Sequence, residues 1–216
     1  MTSTCICGSF RFWKEMQKIG NELSQEGITV YMPEPSEFRT LEDLTNFSRE
    51  FFSQRRSKRM DEIRKRTLNH LEKIDKSDSI HVVAGSECHR KIEFKDAEIA
   101  EVGYVGISTS LEMGYAQGKY KPTFLHWKDK PILLRPAMRE DNIFYFYNMD
   151  EDLILPLSEA CSVAVQIGYA FAFGKPIYLM EPCRDVNEYP IESASQGAVS
   201  IEKFLKLVKK GSLKHK

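Results

Sequence analysis

The chain carries no net charge, because 31 lysines and arginines balance 31 aspartates and glutamates. No global field therefore draws it to a nucleic-acid polymer or an anionic membrane. It has no apolar run near the ~20 residues that a membrane-spanning helix needs. The opening MTSTCICGSF lacks a charged start and a long apolar stretch, so it does not read as a secretory leader. Cysteine is scarce: Cys5, Cys7, Cys88, Cys161 and Cys183 are an odd number at scattered positions. A chain of 216 residues, 42% of them hydrophobic, can build its own core. Its thiols therefore read as reduced and cytoplasmic rather than as a disulfide framework. No cysteine–histidine cluster has zinc-site spacing, and no metal or redox cofactor is implied. CGSFR (7–11) lacks the Gly-Lys-Ser/Thr ending of a Walker loop.

What the chain does have is alternation between strand and helix patterns. STCIC (3–7) reads as a short apolar strand, with Cys5 and Cys7 on one side as core residues rather than ligands. Phe12, Met16, Ile19 and Leu23 recur at spacings of three and four, which predicts a helix over 11–26. Strands are expected at 28–32, 79–84, 122–126, 152–157 and 176–180. Helices are expected at 58–76, 108–119 and 160–173, with a short final one in VSIEKFLKLVKK. The basic residues around 55–66 read as a solvated helix face balanced by Glu50, Asp61 and Glu62. The pattern predicts an α/β fold: a Rossmann-like or flavodoxin-like parallel sheet with helices on both faces. It forms one domain over 1–216, with 85–102 and 128–150 as insertions. Residues 152–180 read as a degenerate copy of 79–126.

Ligands in such folds bind at the carboxyl ends of the strands. That places Gly8-Ser9-Phe10-Arg11, the loop after Ala84 and residues 104–112 at one rim. The Gly-Ser turn would offer free backbone N–H groups to an anion, and Arg11 could clamp a phosphate or carboxylate. An ordinary strand-to-helix turn with a surface arginine would have the same spacing. In STSLEMGYA (108–116), Ser108 is placed to cap a helix, with Glu112 in its first turn, where the dipole favours the ionised form. An ionised carboxylate at a pocket rim can attack an anomeric carbon. The same glutamate could merely complete a cap.

The segment has an echo. LSEACSVAVQIGYAFAFGKPIYL (157–179) repeats Ser, then Gly-Tyr-Ala six residues later, then Lys-Pro. Where the first copy has Glu112, the second has Gln166, which can hydrogen-bond but is a very poor nucleophile. The shared Gly168, Tyr169, Ala170, Lys175 and Pro176 read as helix–sheet packing.

CGSFR, then KSDSIHVV, then GYVGISTSLEMGYAQGKYKP, resembles the nucleoside 2-deoxyribosyltransferase family. It is also similar to the related 2'-deoxynucleoside 5'-phosphate N-hydrolases. The resemblance covers roughly 1–127, and VSIEKFL resembles the family's ending. It implies that Glu112 is the nucleophile. It also implies that Gly8, Ser9 and Arg11 meet the sugar or 5'-phosphate side of a small nucleoside or nucleotide, that Ser108 borders the same pocket, and that Phe10 and Tyr104 are further substrate-binding residues. The family's acidic partner, eight residues before Asp78, is here His70. A second family aspartate, six before the nucleophile, is here Gly106. Asp78, Asp75, Glu98 and Glu101 are alternative acids. The family resemblance also implies a homo-oligomer, for which the aromatic run 143–147 is a candidate interface, or else core. Three activities fit: glycosidic cleavage or transfer on a mononucleoside, hydrolysis of a larger nucleotide, and nucleotide binding without turnover.

Overall fold

A computed structural model describes residues 2–33, 56–84, 90–94, 97–101, 105–127, 130–138, 144–148 and 153–179, with 190–191, 194–195, 200, 202–203 and 206 beyond them. The chain opens with β1 (Ser3–Gly8). A 3-10 turn (Phe10–Phe12) then leads into α1 (Trp13–Gln25). Next come β2 (Thr29–Tyr31), α2 (Arg56–Lys76) and β3 (Ser79–Val83). A hairpin of β4 (Arg90–Phe94) and β5 (Ala97–Glu101) precedes α3 (Ile107–Gly118). The strands β6 (Thr123–Trp127), β7 (Lys130–Met138), β8 (Phe144–Asn148) and β9 (Leu153–Pro156) follow, and then α4 (Glu159–Ala172).

The strands form one mixed sheet in the order β2-β1-β3-β6-β7-β8-β9-β5-β4. Its first four strands are parallel. Their order reverses direction between β1 and β3, the switch point at which flavodoxin-like folds hold ligands. Helices cover both faces, and alternation along β1 shows how. Ile6 points to the side of α1, where it is buried with Trp13, Met16, Ile19 and Val83. Cys5 and Cys7 point to the other side, into a larger core with Leu71 and Ile74 of α2 and Leu111 and Met113 of α3. The Rossmann-like expectation therefore holds for the first half of the sheet.

The second half departs from it. Residues 128–150, expected to be irregular, hold β7 and β8. Residues 85–102, expected to be a charged surface excursion, hold β4 and β5. β7 pairs antiparallel with β6 through Lys130–Leu134 and with β8 through Arg135–Met138. In β7, Ile132 and Leu134 are buried while Leu133 and Arg135 are exposed. This half-buried alternation is hidden in the sequence by Pro131 and Pro136. Of the aromatic run, Phe146 is fully buried core. Of the strand expected at 176–180, the described residues 176–179 show only an isolated bridge at Leu179. The expected final helix lies largely outside the described residues. Among the described residues, no helix is long and apolar enough to cross a membrane.

The two copies of the repeated segment meet each other. A Cβ on Gly114 of α3 would lie 2.0 Å from the carbonyl oxygen of Val165 in α4, and one on Gly168 of α4 would lie 2.0 Å from that of Leu111 in α3. Leu111 and Val165 hold the same place in the repeat, three residues before each glycine. The contact is therefore reciprocal, backbone against backbone, and admits only glycine at either position. The shared Gly-Tyr-Ala thus serves helix–helix packing rather than the helix–sheet packing expected for it.

Candidate functional site

The candidate site sits where α2 and α3 cross β1. Extended geometry turns Cys5 and Cys7 to the same face. On α2, His70 precedes Leu71 on the buried side, and Leu71 and Ile74 anchor that side to the core. α3 is buried almost all round, from Thr109 to Ala116, because the sheet lies on one side of it and α4 on the other. Glu112 is one of the few polar groups carried into that interior.

Cys5, Cys7 and Glu112 converge on His70. Its Nε2 lies 3.6 Å from Cys7 Sγ, 3.8 Å from Cys5 Sγ and 3.7 Å from Glu112 Oε2. His70 is 4% exposed and Glu112 8%. Glu112 Oε2 has no hydrogen-bond partner among the described residues. Burial pushes the Glu112 carboxyl up to about 7, against the pull of His70. For His70, burial lowers the pKa, but Glu112 and then Cys5 outweigh it and raise it to about 9. Burial pushes the Cys7 thiol well up. The Cys5 thiol is lowered, first by its hydrogen bond with Cys7. A buried carboxylate facing an imidazolium can act as a nucleophile–acid pair. Two thiols and an imidazole can also hold a metal ion: their ligand atoms lie within 4.8 Å of one another.

The structure therefore brings together two residues named from sequence, Glu112 and His70. It corrects others. Asp78 is exposed at the other end of β1, where it accepts from Ser3 N (2.8 Å) and Ser3 Oγ (3.0 Å). Those bonds hold it below the usual carboxylate range. It ties the start of β1 to the start of β3 and is no proton donor to this site. Asp75 accepts from Tyr115 Oη at 2.8 Å and pairs with Lys119. Glu98 and Glu101 lie on β5, which pairs with β9 in the far half of the sheet. Ser108 does not cap α3. That cap is Gly106, whose carbonyl accepts from Ser110 N and Oγ, and Ser108 is an exposed residue of the first turn. Glu112 consequently sits in the second turn, beyond close reach of the helix dipole. Burial raises its pKa, where a first-turn glutamate was expected to be held ionised.

At the presumed phosphate rim, Gly8 ends β1. A Cβ there would meet Met16 Sδ at 3.0 Å and Val83 O at 3.1 Å, so close packing by itself gives a reason for glycine. Ser9 begins the 3-10 turn by accepting from Phe12 N at 2.9 Å. Phe10 packs on Trp13, on the α1 side of the sheet, away from Glu112. Arg11 lies in the 3-10 turn, but its side chain is outside the described residues, as is Tyr104. Cys5 and Cys7 were missed as site members. Their shared face was legible, but their partner His70 lies 63 residues beyond Cys7, so no local spacing marks the cluster. Comparison with protein families, with characterised proteins and with solved structures returns no match.

Proposed function

We propose that the protein cleaves or transfers the N-glycosidic bond of a small nucleoside or nucleoside 5'-monophosphate, with Glu112 as nucleophile and His70 as proton donor. The observation that carries this reading is the 3.7 Å approach of His70 Nε2 to Glu112 Oε2. The two residues come from separate motifs, and the fold sets them side by side near the carboxyl end of β1. That end of the sheet is where such folds bind ligands.

In the proposed reaction a Glu112 oxygen attacks C1' of the sugar. The C1'–N bond breaks, its electron pair goes to the base nitrogen, and the imidazolium of His70 supplies the proton. A glycosyl ester on Glu112 results. A second base attacking C1' completes transfer, whereas water completes hydrolysis. Gly8, Ser9 and Arg11 are the groups proposed to meet the sugar or phosphate, and a homo-oligomer is the proposed assembly. The test is chromatography of deoxynucleosides, their 5'-monophosphates and ribonucleosides incubated with the protein, with and without a second free base, beside Glu112→Ala. Base release by the wild type alone is expected. Release that persists in folded Glu112→Ala sinks the reading. Thermal stabilisation by a nucleotide without any product would instead support the binding module.

A further inference from the structure

We propose that Cys5, Cys7 and His70 form a site for a divalent cation of the zinc class, with Glu112 beside it. In a tetrahedral zinc centre, bonds of about 2.0–2.3 Å set ligand-to-ligand edges of about 3.3–3.8 Å. His70 Nε2 already stands 3.6 Å from Cys7 Sγ, 3.8 Å from Cys5 Sγ and 3.7 Å from Glu112 Oε2. The two sulfur distances fit edges of such a tetrahedron, and the ligand atoms of Cys5, Cys7 and His70 all lie within 4.8 Å of one another.

The unpartnered Glu112 Oε2 is a second, independent observation. A buried carboxylate oxygen that accepts no hydrogen bond costs stability, and a cation beside it adds a favourable charge. The donor set also chooses the ion. Two sulfurs and an imidazole suit zinc, whereas magnesium and calcium take oxygen ligands. All four groups are buried, and Leu71, Ile74, Val82 and Leu111 belong to the same core as the two thiols. The site therefore offers three protein ligands, Cys5, Cys7 and His70, and leaves the fourth position to water or to the neighbouring Glu112. Loading it releases to solvent the protons that the thiols and the His70 imidazolium hold, as sulfur and nitrogen take up the metal.

This inference stands without the glycosidic reading, yet both call on the same carboxylate. Base release is therefore assayed in the presence of a chelator, and metal binding in the absence of any nucleoside. The experiment titrates the reduced, metal-free full chain with Co²⁺, followed by displacement with Zn²⁺. The expected result is a thiolate-to-cobalt absorption that saturates at one equivalent and is abolished by one equivalent of zinc. Losing a mere second-shell partner costs about 10–100-fold in metal affinity, so Cys7→Ser and His70→Gln are expected to lose at least about a hundredfold. Glu112→Gln is expected to lose about tenfold, as loss of a partner beside the ligands does. Cys88→Ser is expected to bind as the wild type does. Circular dichroism checks that each variant is folded, and His70→Gln carries the test if Cys7→Ser does not fold. No cobalt–thiolate band in the folded wild type would overturn the proposal, as would a band undiminished in folded His70→Gln.

Discussion

Four residues beyond Ser108, α3 carries Glu112, buried and turned to β1. Four residues beyond Ser162, α4 carries Gln166, turned to solvent. The two helices share a pattern and a contact, but their surroundings differ. α3 is enclosed by the sheet and by α4, while α4 leans on α3 and β8 and leaves one side open. The same difference recurs along the repeat. Tyr115 is 5% exposed and donates to Asp75, whereas Tyr169 is 46% exposed. The serines reverse the order: Ser108 is exposed, while Ser162 is buried and accepts from Phe144 N at 2.8 Å. A repeated sequence therefore marks a repeated contact, here the reciprocal glycines. What each copy can do chemically depends on the face that its non-shared positions meet.

The largest expected effect separates the two copies by chemistry. Glu112→Gln makes the first copy resemble the second and should cut base release by about a thousandfold, as loss of a nucleophile does. Gln166→Glu, on the exposed side of α4, should leave both activity and stability within about 0.5 kcal/mol of the wild type. A rate that falls equally in the two variants would erase the distinction.

Next come the glycines, where the copies should behave alike. Gly114→Ala and Gly168→Ala each drive a Cβ into a carbonyl of the facing helix, and each should destabilise the fold by about 3 kcal/mol. Urea unfolding measures both. A silent Gly168→Ala would break the reciprocity.

The tyrosines should divide again. Tyr115→Phe removes the donor to Asp75 and should cost about 1–2 kcal/mol, while Tyr169→Phe should cost almost nothing. The serines should show the smallest gap, in the opposite sense. Ser162→Ala leaves the Phe144 amide without this acceptor, for about 1 kcal/mol, and Ser108→Ala should be neutral. Thermal melts of the four variants, side by side, rank them.

The legible and illegible parts of this molecule follow the range of the forces involved. β1, α1, β3 and α3 could be read because each has its own period: Phe12, Met16, Ile19 and Leu23 in one helix, an unbroken SIHVV in one strand. β7 escaped because Pro131 and Pro136 look like loop punctuation, and because only one of its faces is buried. β4 and β5 escaped because Lys91, Glu93, Glu98 and Glu101 make the segment look solvated. β4 is the edge strand of the sheet, and edge strands tolerate charge in this way. In the site, Glu112 carried a local motif, and His70 could be placed only by counting back from Asp78. The thiols carried none, because what makes them a cluster is the packing of α2 and α3 on β1, which no local spacing encodes. The dipole argument for Glu112 failed for a related reason: the helix starts at Ile107, so its first turn ends before that residue.

The glycine contact has a consequence for how this chain could change. Each glycine occupies the space that the other copy's carbonyl leaves, so neither position can drift alone, however far the rest of the two copies diverge. Repair would have to come from a shift of a whole helix, and α3 cannot shift without moving Glu112 off His70. Two residues with no functional group therefore limit the mutational freedom of the Glu112 carboxylate buried beside β1. A suppressor screen against Gly168→Ala should return changes that let α4 retreat, and none that move α3.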